Sequence, residues 1–481
     1  MKKTKIVTSM IWTFGERIFA QFVTILVGII LARLLVPEIY GIISIIMIFI
    51  NFCNIFVTSG FGIALVQKTD VDEIDYNTGF WLSLCFSIVL YGILFIFVPV
   101  VGNFYDNNYN LALILRIMML KVLISPFGTI QQAYIQRHMQ FKLFFISTSV
   151  GTVISGILGI YLAYTGFGIW ALVMQYMSNS IIDTCILLII GGWKPKCQFS
   201  SKRAKEIWEF SWKLLLSELI ANLDTNMKNL FIGKYFGLVD LAYFDQGKKY
   251  TSVLVTNINV ATTKVMLPVY SRMQNDKKRL KELLRKSIRI SFYILTPILI
   301  GFATVAEDFV KIVLTDKWLP AVIYIQIFCI AYLTRPIENM CLQAILAIGR
   351  SDVRIIVLSL INFVSIFLTI IAIYSNARII YIALISLACS ILSTIIFLYY
   401  SNKLLNYSVT EQIKDIYLII ISVLVMAGIV IIIGKMNFNI YYKFILKIIV
   451  GASVYIATTG LLKIEGFNYI MSKLNKKGTN E

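Results

Sequence analysis

The chain has 481 residues, of which 58% are hydrophobic and only 14% are charged. A typical soluble domain carries about 25% charged residues, so this composition excludes an ordinary soluble globular protein, and the high apolar content excludes intrinsic disorder. The remaining class is a polytopic membrane protein. Apolar runs such as 355–374 and 379–399 are continuous rather than alternating, which predicts helical spans and not barrel strands.

The formal net charge is +19, from 44 Lys and Arg against 25 Asp and Glu. In a soluble protein this excess would indicate nucleic-acid binding. Here most basic residues lie in short connections between apolar runs, so we interpret them as charges that orient the spans, and we expect membrane lipids and no nucleic acid as partners. The chain has one histidine, His138, and its seven cysteines are scattered, so no metal site is expected.

The apolar runs predict an all-α protein with about fourteen transmembrane helices. Short connections with turn-forming residues separate them, and none could hold a folded soluble domain. Pro126, Pro297 and Pro336 lie within spans and can kink their helices. The predicted spans are 7–34, 40–66, 78–101, 111–136, 143–166, 168–192, 209–234, 240–268, 288–314, 320–347, 352–375, 378–401, 414–434 and 440–462.

The basic residues also predict the orientation of these spans. With the N-terminus inside, the cytoplasmic segments contain about four times as many Lys and Arg as the external segments. Both termini are therefore expected in the cytoplasm, and no cleavable signal peptide is expected. The two most basic connections, 193–213 and 272–289, are predicted to be amphipathic helices on anionic lipid headgroups.

A weak internal repeat relates the first half of the chain to the second. Residues 31–44 (LARLLVPEIYGIIS) follow the first predicted span, and residues 232–245 (IGKYFGLVDLAYFD) follow the seventh. This spacing predicts parallel six-helix repeats, with the substrate between the halves and alternating access as the mechanism. The predicted domains are an N-terminal bundle (1–205), a C-terminal bundle (206–405), and two further helices with a cytoplasmic tail (406–481).

Six motifs, in the right order between the right spans, carry a resemblance to a known family. They are LARLLVPEIYG, FWLSLCFS, QQAYIQRHMQFK, GFGIWALV, NLFIGKYFG and DKWLPAV. Across residues 5–405 the chain resembles the polysaccharide exporter family, and more narrowly its colanic acid and teichuronic acid exporter branch. This family belongs to the multidrug/oligosaccharidyl-lipid/polysaccharide exporter superfamily. The chain departs from the family pattern at Lys228-Asn229, where an Asp-Asn pair is usual.

The resemblance implies a flippase and not an enzyme. Such a protein moves a polyprenyl-diphosphate-linked oligosaccharide across the bacterial cytoplasmic (inner) membrane. The surface polysaccharide made by the pathway would be a lipopolysaccharide, a capsule, an exopolysaccharide or teichuronic acid. Polymerases and glycosyltransferases of the same pathway are then expected as partners. Two alternatives remain: an ion-coupled multidrug exporter of the same superfamily, and a membrane-embedded glycan polymerase or ligase, which the short external connections disfavour.

Charged residues within predicted spans are the candidate site residues, because each costs at least about 2.5–3.5 kcal/mol to place at the centre of a membrane helix. Helical spacing predicts that Asp224 pairs with Lys228 and that Arg335 pairs with Glu338. Arg17, Arg116 and Lys121 have no acid on their own helix face. We therefore expect these three, with Lys228 and Arg335 as further candidates, to bind the substrate diphosphate in a positive cavity.

Three acids within the predicted spans are candidates for binding a coupling ion. They are Asp183, Glu218 and Asp224. No cofactor is expected. The candidate coupling ions are a proton and a sodium ion. Asp183 is also the acid most able to neutralise Arg116 or Lys121 structurally, so a purely structural role for these cations remains open.

Overall fold

In a computed structural model, residues 3–58, 60–68, 70–105 and 109–468 are described, without the side chains of residues 3–11, 14, 109, 110, 257, 258, 260, 261 and 264. All regular structure within these residues is helical, which confirms the predicted all-α class. The helices are α1 Lys3–Leu34, α2 Pro37–Thr58, α3 Phe61–Gln67, α4 Glu73–Phe104, α5 Tyr109–Met118, α6 Leu120–Arg137, α7 Phe141–Tyr164, α8 Ile169–Ile190, α9 Ser201–Tyr235, α10 Leu238–Ser271, α11 Lys277–Phe309, α12 Ala321–Tyr332, α13 Arg335–Ala347, α14 Ser351–Tyr374, α15 Ile380–Leu405, α16 Val409–Gly434 and α17 Ile440–Leu461.

Twelve helical segments of the described residues are long and apolar enough to cross a membrane, so the chain is a multi-pass membrane protein. They account for all predicted spans except 209–234 and 240–268. Those two form α9 and α10, which have 35 and 34 residues. Both are long enough to span, but their charged residues make them less apolar than the other twelve. That α9 and α10 also cross the membrane stays a prediction.

Two predicted spans are broken into successive helices. The span at 111–136 is interrupted at Met119, between α5 and α6, and the span at 320–347 is interrupted between α12 and α13. Pro336 explains the second break, because a proline has no N–H to continue the helical hydrogen-bond ladder. Instead, the carbonyl of Thr334 accepts hydrogen bonds from the amides of Ile337 and Glu338. Pro336 lies in the first turn of α13, where a proline is tolerated. Pro126 and Pro297 lie inside α6 and α11.

The two most basic connections are helical over much of their length, but they form no helices of their own. That they lie on anionic lipid headgroups stays a prediction. Residues 277–289 are the first turns of α11, and residues 201–213 are the first turns of α9. The side chain of Asp276 starts α11 by accepting a hydrogen bond of 3.0 Å from the amide of Arg279. Leu280 and Leu284 are fully buried. The apolar face therefore continues without interruption into the following span.

The chain forms two compact units, Met1–Ala242 and Tyr243–Glu481. A core that includes Phe61, Phe80 and Trp193 stabilises the first unit. Another core, which includes Met340 and Tyr407, stabilises the second. The boundaries predicted at residues 205 and 405 stay predictions, and most of the predicted C-terminal tail lies outside the described residues.

Small residues bring α7 close to its neighbours α1 and α8. A Cβ atom on Gly156 would lie 2.5 Å from a methyl group of Val27 on α1, and one on Gly159 would lie 3.0 Å from the Cβ of Gln175 on α8. Such close approach is how membrane helices gain packing contacts without a hydrophobic driving force. Large apolar side chains are left exposed on other helices, as with Ile96, which is 75% exposed. In a membrane these side chains face lipid.

The two turns that the internal repeat relates contact each other within the first unit. A Cβ atom on Gly41, in α2, would lie 1.9 Å from the carbonyl oxygen of Leu238, at the start of α10. Only glycine allows this approach of one backbone to another. The matching segments after α1 and α9 are therefore neighbours in space.

Candidate functional site

Two of the predicted phosphate-binding cations flank the break between α5 and α6. The guanidinium carbon of Arg116 lies 4.8 Å from the ring centre of Phe95, and the Nζ of Lys121 lies 5.8 Å from that of Tyr176. The Nε of Arg116 is buried without a hydrogen-bond partner in the described part of the chain. Aromatic rings are thus the charge-stabilising neighbours found for both cations.

Arg17 lies on a different helix from these two cations. It is exposed on α1, which packs against α7. Helix α6 also contacts α7, although α5 and α6 pack mainly against other helices of the first unit. Among the described residues, no ion pair forms at Arg17, Arg116 or Lys121. The predicted structural pairing with Asp183 is therefore not found. That the three cations share one cavity stays a prediction.

Asp183 lies on a polar cavity of about 430 Å³ inside the first unit. Its Oδ1 is buried and has no hydrogen-bond partner among the described residues. Across the cavity, the hydroxyl of Ser125 on α6 donates a 2.8 Å hydrogen bond to the Oδ1 of Asn54 on α2. The cavity is lined by Asn54, Thr58, Gly62, Ile63, Ser125, Gly128, Thr129, Gln132, Ala133, Gln136, Ser180, Asp183 and Thr184.

The remaining candidates of the first unit lie on α9. Lys228 and Asp224 form the intrahelical ion pair that their spacing predicts, with 3.1 Å between Nζ and Oδ2. Lys228 is almost completely buried, and the other carboxylate oxygen of Asp224 is buried without a partner in the described residues. Glu218 is exposed, and its backbone carbonyl accepts a hydrogen bond from Asn222.

Arg335 is the first residue of α13, directly after the break that Pro336 explains. Its Nη1 lies 3.5 Å from the Oε2 of Glu338, as predicted. Glu338 is buried and also accepts a 3.0 Å hydrogen bond from Thr394. The Arg335 side chain remains 48% exposed and lines a cavity of about 510 Å³ within the second unit. The guanidinium can therefore still contact a ligand.

Our sequence interpretation missed a charged cluster next to α4. Asp72 caps α4 by accepting from the amide of Asp75, and its carboxylate also pairs with Arg203. The hydrogen bond from Arg203 holds the pKa of the Asp72 carboxyl below its ordinary value. Burial alone would lower the pKa of Lys68, but hydrogen bonds and charges of Asp75 and Glu206 outweigh burial and raise it. The Asp-x-x-Asp spacing of the cap was the available sequence signal.

A second missed network joins α11 to the last two helices. Asp415 on α16 accepts two hydrogen bonds of 2.8 Å from the guanidinium of Arg285, and it also contacts Arg289. Deeper on α11, Asp308 pairs with Lys447 of α17, and both side chains are largely buried. Nothing in the local sequence predicts these contacts.

In the described residues, no group of three or more His, Cys, Asp or Glu side chains could hold a metal ion.

A protein family described as "Polysaccharide biosynthesis protein" matches residues 30–323, which is more than half of the chain. The chain belongs to this family. The matched region includes the break between α5 and α6, the polar cavity and all of α9 and α10. It ends at the start of α12, before Arg335.

Relatives from two bacteria have names that concern polysaccharide synthesis or transport. The teichuronic acid biosynthesis protein TuaB of Bacillus subtilis is 26% identical over 307 residues, covering 63% of this chain and 62% of TuaB. The succinoglycan biosynthesis transport protein ExoT of Rhizobium meliloti is 24% identical over 306 residues, covering 64% and 60%. The chain therefore spans about three fifths of the length of these curated relatives.

A solved structure has the same fold over nearly the whole chain. The lipid II flippase MurJ, in an inward closed conformation, aligns with a TM-score of 0.78 and 15% sequence identity. The alignment covers 95% of this chain and 98% of that one. At this identity the likeness establishes the helical fold and not the function.

Proposed function

We propose that this chain is a flippase for polyprenyl-diphosphate-linked oligosaccharides in the bacterial cytoplasmic membrane. It serves the synthesis of a surface polysaccharide, either a lipopolysaccharide, a capsule, an exopolysaccharide or teichuronic acid. It works by alternating access, performs no covalent chemistry, and has both termini in the cytoplasm. Polymerases and glycosyltransferases of the pathway are its expected partners. The family, the names of TuaB and ExoT, and the fold of MurJ support this function.

The observation that carries the proposal is the position of Arg116 and Lys121. Each lies within an apolar span without an acid partner among the described residues, although an uncompensated charge there is costly. A diphosphate supplies the missing negative charge, because Arg offers it a bidentate donor and Lys a point charge. Arg335 follows the break in the equivalent span of the second repeat. Both broken spans thus have a cation at the start of their second helix.

We assign the diphosphate to Arg17, Arg116 and Lys121, with Arg335 and Lys228 as further contacts. The Lys228 ammonium has three N–H donors, so it can contact a phosphate while it keeps its ion pair with Asp224. Energy input comes from a proton or sodium ion bound by an acid. Among the candidates Asp183, Glu218 and Asp224, Asp183 has the buried, unpartnered carboxylate oxygen that such an ion needs.

The second candidate function is export of cationic drugs. The Asp183 cavity favours it, because its lining contains an acid and no Lys or Arg. The unpaired Arg116 and Lys121 oppose it, since they would repel a cation.

Transport by the purified protein in lipid vesicles separates the two functions. The cargoes are a polyprenyl diphosphate linked to a fluorescent oligosaccharide and a fluorescent cationic dye. We expect translocation of the lipid-linked sugar only. Translocation of the dye without the lipid-linked sugar would replace this proposal with drug export. Protein-free vesicles and vesicles with the Lys121→Gln variant are the controls.

A further inference from the structure

One face of α6 carries a continuous row of polar side chains. Lys121, Ser125, Thr129, Gln132 and Gln136 follow at intervals of three or four residues, so they lie on the same face of the helix. The hydroxyl of Ser125 also donates a 3.0 Å hydrogen bond to the carbonyl of Lys121, one turn earlier. All of these residues except Lys121 line the 430 Å³ cavity. The cavity therefore begins one helical turn from the proposed diphosphate contact.

The cavity has free hydrogen-bonding capacity and a size typical of a ligand site. Specific small-molecule sites are about 300–1,000 Å³. The side-chain amides of Gln132 and Gln136 and the hydroxyl of Ser180 have no partners among the described residues. The Oδ1 of Asp183 is buried and unpartnered in the same set. Gln136 is exposed and Gln132 and Ser180 are half-buried, so their donors and acceptors are open to a ligand with many hydroxyl groups. The Oδ1 of Asp183 is the buried group of this set that needs a partner.

The charges of the lining limit which ligand can bind. Its described residues include Asp183 but no Lys or Arg, so an anionic group would enter without a compensating cation, which is costly. Amide and hydroxyl groups both donate and accept hydrogen bonds, which matches the hydroxyl and N-acetyl groups of a neutral sugar. A uronic acid does not fit this environment.

We propose that this cavity binds the sugar residue adjacent to the diphosphate, and that it selects neutral sugars over uronic acids. The inference rests on the proposed flippase function. One turn of α6, about 6 Å, separates Lys121 from Ser125. This separation between the diphosphate contact and the cavity fits a substrate in which the phosphate is bonded directly to the first sugar. Asn54, held by Ser125, and Gln132 then donate their amide hydrogens to the sugar from α2 and α6.

The test measures binding of three ligands to the full-length protein in lipid nanodiscs. They are a polyprenyl diphosphate alone, the same carrier with one neutral N-acetylhexosamine, and the same carrier with one hexuronic acid. We expect the wild type to bind the neutral-sugar carrier about tenfold more tightly than the bare carrier, as two net hydrogen bonds would give. The hexuronic acid carrier should bind more weakly than the neutral-sugar carrier.

The double variant Asn54→Ala/Gln132→Ala should reduce this tenfold ratio to about one while the Kd of the bare carrier stays unchanged. The matched control Gln175→Ala, an α8 glutamine outside the cavity lining, should keep the ratio. Equal or tighter binding of the uronic acid carrier by the wild type would overturn the proposal without requiring any variant to fold. A preserved ratio in the double variant would do the same. Wild-type protein that binds none of the carriers would instead reject the flippase function itself.

Discussion

Lys228 and Asp224 lie one helical turn apart on α9, with 3.1 Å between Nζ and Oδ2. The lysine side chain is 4% exposed and the aspartate side chain 25%. The sequence suggested both as functional groups, one for phosphate and one for an ion. Their pairing gives each a structural role as well, because the lysine ammonium is almost completely removed from solvent and the aspartate carboxylate lies next to it.

Removal of one member of this pair should destabilise the protein more than removal of both. Lys228→Met leaves the Asp224 carboxylate without this counter-charge. Because Asp224 is 25% exposed, water offsets part of the loss, and the cost should lie below the value of about 3–5 kcal/mol for a fully buried pair. The double variant Asp224→Asn/Lys228→Met should recover most of the loss. Thermal unfolding in detergent, followed by the loss of the monodisperse chromatographic peak, measures the difference. A double variant that is as unstable as Lys228→Met would contradict the structural role.

Neutral substitution of Arg17 or Lys121 should abolish export without lowering the amount of folded protein. Each lost charge-assisted hydrogen bond contributes about 1.5–3 kcal/mol, so the lipid-linked substrate should bind roughly ten- to hundredfold more weakly. Cells with Arg17→Gln or Lys121→Gln should accumulate lipid-linked units on the cytoplasmic side. Lys205→Gln, which removes an exposed cation of α9, is the control. Normal export from a stable Arg17→Gln/Lys121→Gln variant would reject the diphosphate contact.

Ion coupling should depend on at least one of Asp183, Glu218 and Asp224. Asp183→Asn should show the largest loss of gradient-driven transport, because Asp183 combines a buried unpartnered oxygen with a cavity. Glu218→Gln should show the smallest loss, because this side chain is exposed. Transport into vesicles under an imposed proton or sodium gradient is the measurement. Unchanged transport after substitution of all three would remove these acids from the coupling mechanism.

Loss of the ion pair between Asp72 and Arg203 should lower the stability of the protein at acidic pH. The folded pKa of Asp72 lies below its ordinary value, so the ionised pair stabilises the protein at neutral pH. This contribution is lost as the pH falls through the folded pKa. Asp72→Asn keeps the helix cap, because Asn is also a good N-cap residue. Its melting temperature should lie below that of the wild type at pH 7, and the difference should shrink as the pH falls below the ordinary Asp pKa of about 3.9. A constant difference between the two proteins would contradict the assignment.

Reporter fusions test the orientation that the basic residues predict. Fusions after residues 5 and 475 should report a cytoplasmic location, and a fusion after residue 105 should report an external one. The reason is the roughly fourfold excess of Lys and Arg in the segments assigned to the cytoplasm. An external signal at residue 5 or 475, or a cytoplasmic signal at residue 105, would contradict the predicted topology.

Helix positions were predictable because continuous apolar runs are strong local signals. The predicted span 143–166 corresponds to α7 at Phe141–Tyr164, and 378–401 corresponds to α15 at Ile380–Leu405. The break before α13 had a local cause in Pro336. The break at Met119 had no such signal, and the basic first turns of α9 and α11 concealed how far these helices extend.

Contacts between distant helices were not predictable from local spacing. The i,i+4 pair Asp224–Lys228 and the i,i+3 pair Arg335–Glu338 follow from helix geometry, and both were predicted correctly. The partners Asp308 and Lys447 are 139 residues apart. Their pairing depends on how α11 packs against α17. The polar cavity likewise needs residues from several helices, so only its α6 face could be read as a periodic pattern.

The ionic contacts of α11 with α16 and α17 bear on how chimaeric exporters should be constructed. A hybrid that takes only α16 and α17 from another family member would separate Arg285, Arg289 and Asp308 from their ion-pair partners on those helices. A hybrid that exchanges α11 together with α16 and α17 keeps both ion networks intact. Recombination points before Lys277 and after Phe309 would therefore be needed in addition to the one before Val409.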